Sequence, residues 1–345
     1  MDLVTVLNTI HANASAVYQD RIPEATRTNL EDIRFAMISD DNVMVANEFM
    51  GTLLNKLVKS VVHTKRFQNP LKSLKKGKKP LGDTVEEIYN NFIKGQKYDP
   101  NAGATELMQR TLPDTKTLYH RMNLQMKYPI TVSREILSKA FASWDALEKY
   151  INDLIAQLYN SAELDEFVNM KQLFKSAMDA NAMKVVNCAD PLLGEAEGKE
   201  FIKAVKTVSN MMQFPNSDFN AYLTAQSTDK KPIVTFTRKN EQVLIISAAA
   251  DTSVSVDVLA STFNMSVADF NDTRKIVIDA FPVSTVRAAL VDEAFFQIYD
   301  DLFLIKSFDN GVSVYENYWL HVWQTMAYSI LVNAVVFDTA AAATE

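Results

Sequence analysis

The chain has 345 residues, of which 48% are hydrophobic and 22% charged, and its formal net charge is −7. This composition is typical of a folded protein and excludes an intrinsically disordered one. The length allows two domains or one extended domain. The longest apolar runs, near 243–250 and 330–337, are too short to cross a bilayer, so no contact with a membrane is expected.

The N-terminal sequence MDLVTVLNTI has no basic lead, so we expect no secretory signal. Cys188 is the only cysteine, which excludes an intrachain disulfide and cysteine-based zinc sites. Synthesis in a reducing cytoplasm is the natural expectation.

The charge is unevenly distributed. Between Glu48 and Asp83 there is no acidic residue, although nine lysines and arginines occur there, so the rest of the chain has a formal net charge of −16 (−7 minus 9). The densest part holds Lys72, Lys75, Lys76, Lys78 and Lys79. Such a run is commonly a solvated loop, but it also fits a polyanion or an acidic patch on another copy of the chain. It lacks the interleaved aromatic residues that stack on bases. We therefore take these five lysines as candidate intersubunit contacts.

The predicted secondary structure of the first 130 residues changes from helices to turns and strands. Residues 1–60 predict helices, with a clear apolar face from Phe49 to Val62. Residues 63–129 contain several prolines and glycines, which exclude long helices. Alternation from Thr117 to Tyr128 predicts one continuous strand. A segment with so little core of its own is expected to be an extended hairpin that packs on something outside itself.

The stretch between Pro129 and Pro191 contains neither glycine nor proline. Its apolar residues recur at three- and four-residue steps from Trp144 to Ala162, which predicts an amphipathic helix over 143–180. Such a helix is about 55 Å long. It is either broken by a turn or the spine of an elongated molecule.

The remaining residues predict an alternating pattern of helices and strands. A helix is expected in 201–222, ending before Pro215, and a short one over 256–263. Strands are expected over 232–237, 243–247, 275–278, 302–306, 318–328 and 330–337, while 289–296 is mixed. We expect the tail after 339 to be frayed.

No catalytic or metal-binding pattern emerges. The four histidines (His11, His63, His120 and His321) lie far apart and favour structural roles. The acidic residues Asp292, Glu293, Asp300 and Asp301 favour a solvated or intersubunit face over a catalytic pair. No phosphate-binding or nucleophile motif occurs. We therefore expect no enzyme and no cofactor.

Six blocks of sequence resemble the major capsid proteins of tailed bacteriophages of Gram-positive hosts, including relatives of phage phi twenty-nine. They are FQNPLKSLKKGKKPLGDTVEEIY (67–89), YPITVSREILSKAF (128–141), VDVLASTFNM (256–265), IVIDAFP (276–282), ALVDEAFFQIYDD (289–301) and ENYWLHVWQTMAYSILVNAVVF (316–337). The resemblance covers about 70–345, with a fainter similarity in 1–60.

The resemblance implies an α+β class and the Hong Kong ninety-seven-like capsid fold. It divides the chain into five parts. These are an N-terminal arm (1–62), an E-loop hairpin (63–130), a peripheral domain with a spine helix (131–210), an axial domain (211–317) and C-terminal strands that return to the sheets (318–345). Some relatives carry a C-terminal immunoglobulin-like module, which we expect to be absent here. No residues match the covalent cross-linking triple of some such shells.

The resemblance implies a structural subunit that assembles with itself, as hexamers and pentamers, into an icosahedral head around double-stranded DNA. Scaffolding and portal proteins are the other implied partners, and the virion is the implied location. Two alternatives stay open: a nucleic-acid-binding protein that uses the basic segment 65–79, and an encapsulin-type nanocompartment shell. An enzyme of unknown type has no motif in its favour.

Overall fold

The structure is a computed structural model of the chain. It describes residues 3–38, 45, 48–50, 52, 67–95, 97, 103, 110, 112–225, 231–254, 274–310 and 315–340. The helices are α1 (Leu3–Asn13), α2 (Ala16–Arg21), α3 (Leu30–Ile38), α4 (Arg134–Ala140), α5 (Trp144–Asp179), α6 (Glu195–Met211), α7 (Tyr222–Ala225) and α8 (Ala248–Ser253). Short 3-10 helices cover Pro70–Leu74 and Lys239–Glu241.

The strands form three sheets. They are β1 (Gly77–Lys78), β2 (Val85–Asn90), β3 (Thr115–His120), β4 (Leu124–Ser133), β5 (Lys184–Asn187), β6 (Gln242–Ser247), β7 (Arg274–Ile278), β8 (Val286–Asp292), β9 (Phe296–Asn310), β10 (Tyr315–Tyr328) and β11 (Ala334–Asp338). The sheet orders are β1-β9-β10-β4, β5-β11-β8-β6-β7 and β2-β3. This mixture of helices and sheets confirms the α+β class.

The chain divides into two compact units. Unit 1 comprises 1–69, 124–166 and 300–324, and unit 2 comprises 70–123, 167–299 and 325–345. In unit 1, β10 pairs antiparallel with β4, with Tyr318 opposite Ile130. The N-terminal helices contribute Ile10 and Ile33 to the same apolar core as Leu154 of α5.

Unit 2 is built on the five-stranded sheet. One face of α6, including Phe201 and Val205, packs in a core with Leu244 of β6, Leu290 of β8 and Phe337 of β11. Strand β6 is buried along its whole length, as its unbroken apolar run predicts. Within the sheet, β11 pairs parallel with β5 and antiparallel with β8.

The long helix is continuous from Trp144 to Asp179, so the prediction of a helix over 143–180 is confirmed. It begins where the Ser143 hydroxyl accepts a hydrogen bond from the amide of Ala146, 3.1 Å away. It ends before Asn181, whose φ of 51° is left-handed, a conformation that asparagine tolerates better than most residues.

Several strand predictions are confirmed and others are wrong. The strands over 243–247, 275–278, 302–306 and 318–328 are present, although all four extend further. The segment 232–237 is not a strand, because among the described residues its only ladder contact is an isolated bridge between Thr235 and Asn216. The residues 289–296 contribute a regular strand, β8, up to Asp292. In the C-terminal run, only 334–338 is a strand.

The predicted single strand from Thr117 to Tyr128 is wrong in one respect. It is divided into β3 and β4 by residues 121–123. The Asn123 side chain both donates to the Met326 carbonyl (2.7 Å) and accepts from its amide (2.8 Å). This side chain replaces a backbone partner, so the ladder is interrupted there.

Other predictions lie outside the described residues. These are the apolar helical face over 53–62, the short helix over 256–263 and the tail 341–345. Within the described part of the chain, no helix combines the length and the apolar character needed to cross a membrane.

Candidate assembly interface

The strands β2 and β3 form a hairpin with two different faces. Glu87 lies opposite Leu118, and Ile88 lies opposite Thr117. Burial alternates along both strands, so one face packs on unit 2 and the other is exposed. This alternation follows from the two-residue period of a strand.

The inner face is held by polar contacts as well as by burial. Glu87 accepts a hydrogen bond from the Ser329 hydroxyl (2.6 Å) and pairs with His120 Nε2 (3.0 Å). The Lys116 ammonium lies over the ring of Tyr222, 5.7 Å from its centre. The Glu87–Ser329 and Lys116–Tyr222 contacts therefore attach both strands to the rest of unit 2.

The outer face and the ends of the hairpin expose large apolar side chains. We call Ile88, Phe92, Ile93, Leu112 and Tyr119 the hairpin apolar surface. Ile93 is 76% exposed and Leu112 is 82% exposed. Phe92 stacks on Phe236, with ring centres 6.3 Å apart. Large apolar side chains grouped on a surface in this way mark a contact site for another protein.

The five candidate lysines lie in one short segment of unit 2. Lys72 belongs to the 3-10 helix and Lys78 to β1, and both are exposed. The Lys76 ammonium donates to the Glu293 carbonyl, 2.8 Å away, and its amide donates to the carbonyl of Ile298. Part of this segment is therefore engaged within its own chain.

The remaining candidate lysines make local contacts. The Lys79 ammonium donates to the carbonyl of Asp83, 2.5 Å away. Lys75 is half-buried, and its amide donates to the carbonyl of Lys72. The other basic residues of the run, between 56 and 66, lie outside the described residues.

The histidines and acidic residues considered above have structural surroundings. His11 Nε2 lies 2.8 Å from the carbonyl of Ile22, and His321 packs edge-on against Trp323. His63 lies outside the described residues. Among the residues that the structure describes, no group of three histidine, cysteine or carboxylate side chains has the arrangement of a metal site.

Asp292 and Asp300 each bond within their own unit. Asp292 accepts from the Thr237 hydroxyl (2.7 Å), and Asp300 accepts from the Gln324 amide (2.9 Å). Burial raises the pKa of Asp292 above its ordinary value, while the pKa of the half-buried Cys188 thiol rises to about 11. A thiol with a pKa this high is a poor nucleophile near neutral pH.

Comparison with known proteins decides the family. The model of the Phi29-like phage major capsid protein family matches residues 7–338. The chain belongs to this family. Its members are structural capsid proteins and not enzymes, in agreement with the prediction from sequence.

Two curated major capsid proteins are similar to this chain over most of its length. The chain is 35% identical to the major capsid protein of Bacillus phage GA-1 over 321 residues, which cover 91% of this chain and 65% of the relative. It is 32% identical to that of Bacillus phage PZA, covering 96% of this chain and 72% of the relative. The chain thus spans about two thirds of these relatives' lengths.

Solved structures show the fold of this capsid protein. The capsid of Staphylococcus phage Andhra aligns with a TM-score of 0.64 at 13% identity, covering 82% of this chain and 87% of the other. The capsid of a native GTA particle aligns with a TM-score of 0.55 at 9% identity, covering 82% and 94%. The predicted Hong Kong ninety-seven-like capsid fold is confirmed.

The sequence alone predicted neither the contacts that anchor the hairpin nor the exposure of its apolar side chains. Glu87 and Ser329 meet across more than two hundred positions, and no local pattern links them. The sequence also does not predict that Ile93 and Leu112 are exposed, because an apolar residue usually predicts burial.

Proposed function

We propose that the chain is the structural subunit of an icosahedral phage head. Copies join as hexamers and pentamers and close around double-stranded DNA, with scaffolding and portal proteins as further partners in the virion. The observation that carries this proposal is the family match over residues 7–338. The capsid folds of the aligned structures support self-assembly.

The hairpin apolar surface is the part of unit 2 that we assign to a neighbouring copy. Ile93, Leu112 and Phe92 are exposed in a single chain, and their burial against another subunit supplies a driving force of about 1.5–3 kcal/mol for each fully covered side chain. A second copy is the proposed occupant because major capsid proteins are present in many copies of one chain.

The division of the chain into five parts stays a proposal. The arm (1–62), the E-loop hairpin (63–130), the peripheral domain (131–210), the axial domain (211–317) and the returning strands (318–345) describe roles in a shell. The same holds for the five lysines as intersubunit contacts. Exposure of Lys72, Lys76 and Lys78 supports that assignment.

Electron microscopy of the expressed protein, together with scaffolding protein, tests the proposal. We expect closed particles from the wild type. Ile93→Asp should fold but remain unassembled, because it places a charge where the interface must be dry. Lys94→Gln, at the exposed adjacent residue, is the matched control and should form particles.

The outcomes separate the rival functions. A protein that stays small and binds DNA with a steep dependence on salt would be a nucleic-acid-binding protein. Particles that form without scaffolding protein and enclose other proteins would indicate a nanocompartment. Normal particles from Ile93→Asp would contradict the assignment of the hairpin apolar surface to a subunit contact while leaving the shell function intact.

A further inference from the structure

Strand β9 has one side that is largely uncovered within unit 1. In its sheet, β10 pairs with one side of β9, and β1 pairs with the other. Strand β1 has only two residues, Gly77 and Lys78, whereas β9 has 15. The preceding Lys76 amide donates to the carbonyl of Ile298, which places β1 near the beginning of β9. Beyond Asp301, no strand in the described part of the chain pairs with this side of β9.

We call residues 302–308 the open edge of β9, and it carries apolar side chains on both faces of the sheet. Phe303 and Leu304 are each 37% exposed, and Phe308 is 66% exposed. Successive side chains of a strand point to opposite faces, so Phe303 and Leu304 lie on different faces. Phe303 also packs near Tyr159 of α5, with ring centres 6.2 Å apart. An added strand would therefore cover apolar surface on both faces as well as the backbone groups of the edge.

The opposite edge of the same sheet is protected against pairing. It is formed by β4, in which the exposed Pro129 lacks an amide donor. The open edge of β9 contains no proline, and Lys306 is its only charged residue. A long apolar edge without proline is a template for pairing with another strand. Of the two edges, that of β9 is therefore the one that favours pairing.

The sequence around Phe303 is complementary to its own reverse. Leu302 and Leu304 flank it, and the residues three positions before and after it are Asp300 and Lys306. When two copies of this strand pair antiparallel about Phe303, Leu302 lies opposite Leu304 and Asp300 lies opposite Lys306. Each of these pairs occurs twice, once on either side of the centre. Apolar pairs and pairs of opposite charge stabilise an antiparallel sheet, so this pattern favours a second copy of the chain as the occupant.

We propose that the open edge of β9 pairs antiparallel with the same edge of a second copy, as a two-fold contact centred on Phe303. Lys306 is exposed, and the bond that Asp300 accepts from Gln324 (2.9 Å) leaves a carboxylate that can accept further bonds. A two-fold contact joins the same patch on both copies, whereas a contact between two different patches forms rings. The inference rests on the proposed shell function, in which rings of subunits need a second kind of contact that links one ring to the next.

Disulfide cross-linking tests both the pairing and its register. In a Cys188→Ser background, Phe303→Cys places two thiols opposite each other, with Cα atoms about 4.5–5.5 Å apart, which is within the range of a disulfide. We expect the oxidant diamide to produce a covalent dimer of the full chain. Lys306→Cys is the matched control and should give little dimer, because the two copies of this position lie about 20 Å apart along the strands.

Two results of this experiment would overturn the proposal. One is the absence of a covalent dimer from Phe303→Cys, in free subunits and in particles alike. The other is an equal yield of dimer from Phe303→Cys and Lys306→Cys, since random collision does not depend on register.

A further substitution tests whether pairing through this edge produces the cross-link. Leu304→Lys, added to the Phe303→Cys chain, places a second charge on the open edge of β9 and should remove most of the covalent dimer. Gln125→Lys, at an exposed position of β4, is the control and should leave the yield unchanged. Undiminished cross-linking with Leu304→Lys would contradict pairing through this edge.

The cross-link is measured independently of shell formation, because non-reducing gels detect it in free subunits as well as in particles. Shells in which Phe303→Cys does not cross-link would disprove the two-fold contact and leave the shell function intact. A covalent dimer from subunits that never form shells would support the contact, and the proposed function alone would then fail.

Discussion

Asp190 and Arg287 form an ion pair with two hydrogen bonds in unit 2. Arg287 Nη2 lies 2.7 Å from one carboxylate oxygen, and Nε lies 2.9 Å from the other. These two hydrogen bonds hold the pKa of Asp190 below its ordinary value, while burial acts in the opposite direction. Both side chains keep about one fifth of their surface exposed, so solvent weakens the pair.

Asp190→Asn tests this contact through the pH dependence of unfolding. A carboxyl whose pKa is lowered by folding contributes stability above its unfolded pKa of about 3.9, and that stability is lost as the pH falls through the folded value. We expect the free energy of unfolding of the wild type to exceed that of the variant by about 1–2 kcal/mol at pH 7 and by less near pH 3. Urea unfolding of unassembled subunits at both pH values measures the difference. The same gap at both pH values would contradict this interpretation.

Single residues also show where prediction from sequence stops. Asn123 interrupts the strand predicted over 117–128 by bonding to Met326, a partner two hundred positions away. The alternating pattern on both sides of Asn123 is genuine, but nothing local indicates that its side chain takes over a backbone role. Long-range partners of this kind define the hairpin as well, through Glu87 and Ser329.

At the scale of elements, the helix α5 was the most predictable. The absence of glycine and proline and the regular apolar spacing are enough to predict this helix, because each signal acts within one or two helical turns. The segment 232–237 failed for the opposite reason. Its alternation is that of a strand, yet the Thr235 and Thr237 hydroxyls donate to Asn333 and Asp292, and among the described residues only Thr235 forms a bridge. Alternation predicts which side is buried, but it does not identify the partner.

A pair of neighbouring substitutions in α5 checks the apolar stripe. Leu154 is buried in the core of unit 1, so Leu154→Asp places an unpaired carboxylate there and should cost several kcal/mol. We expect insoluble or unfolded protein. Asp153 is exposed, and Asp153→Lys should fold normally. Soluble yield and circular dichroism compare the two. Equal behaviour of both variants would mean that the stripe has been misread.

At the scale of the whole molecule, the resemblance to capsid proteins predicted the fold class and the family, and six ordered sequence blocks were enough. The candidate interface was only partly predictable. The lysine run is visible in sequence as a lack of acidic residues, whereas the bonds of Lys76 to Glu293 and Ile298 depend on the folded chain. Which surface meets a neighbour is a property of the assembly and not of local pattern.

Replacing Lys72, Lys75, Lys76, Lys78 and Lys79 with glutamine tests the proposed role of this segment. Exposed charges act over about 8–10 Å at physiological salt, so they aid encounter between subunits at low salt more than at high salt. We expect a folded variant that assembles slowly or into malformed shells even without DNA. Light scattering during the assembly of empty particles at several salt concentrations measures the rate.

The matched control for the lysine variant removes charges elsewhere on unit 2. A variant in which Lys199, Lys203 and Lys206 of α6 are replaced by glutamine should assemble at nearly the wild-type rate. If the five-lysine variant instead forms normal empty shells at the normal rate and fails only in packaging, the lysines contact DNA. Their assignment to a subunit interface would then be wrong.

The position of β11 has a consequence for protein synthesis. This strand follows its four sheet partners in sequence, yet it lies between β5 and β8 and is buried over Ala334–Phe337. Until residues 334–338 leave the ribosome, β5 has no neighbour in its sheet and the core of unit 2 stays open. Domains generally fold as units during translation. Nascent chains that still lack residues 334–338 therefore cannot complete unit 2, because β11 is the strand that joins β5 to β8.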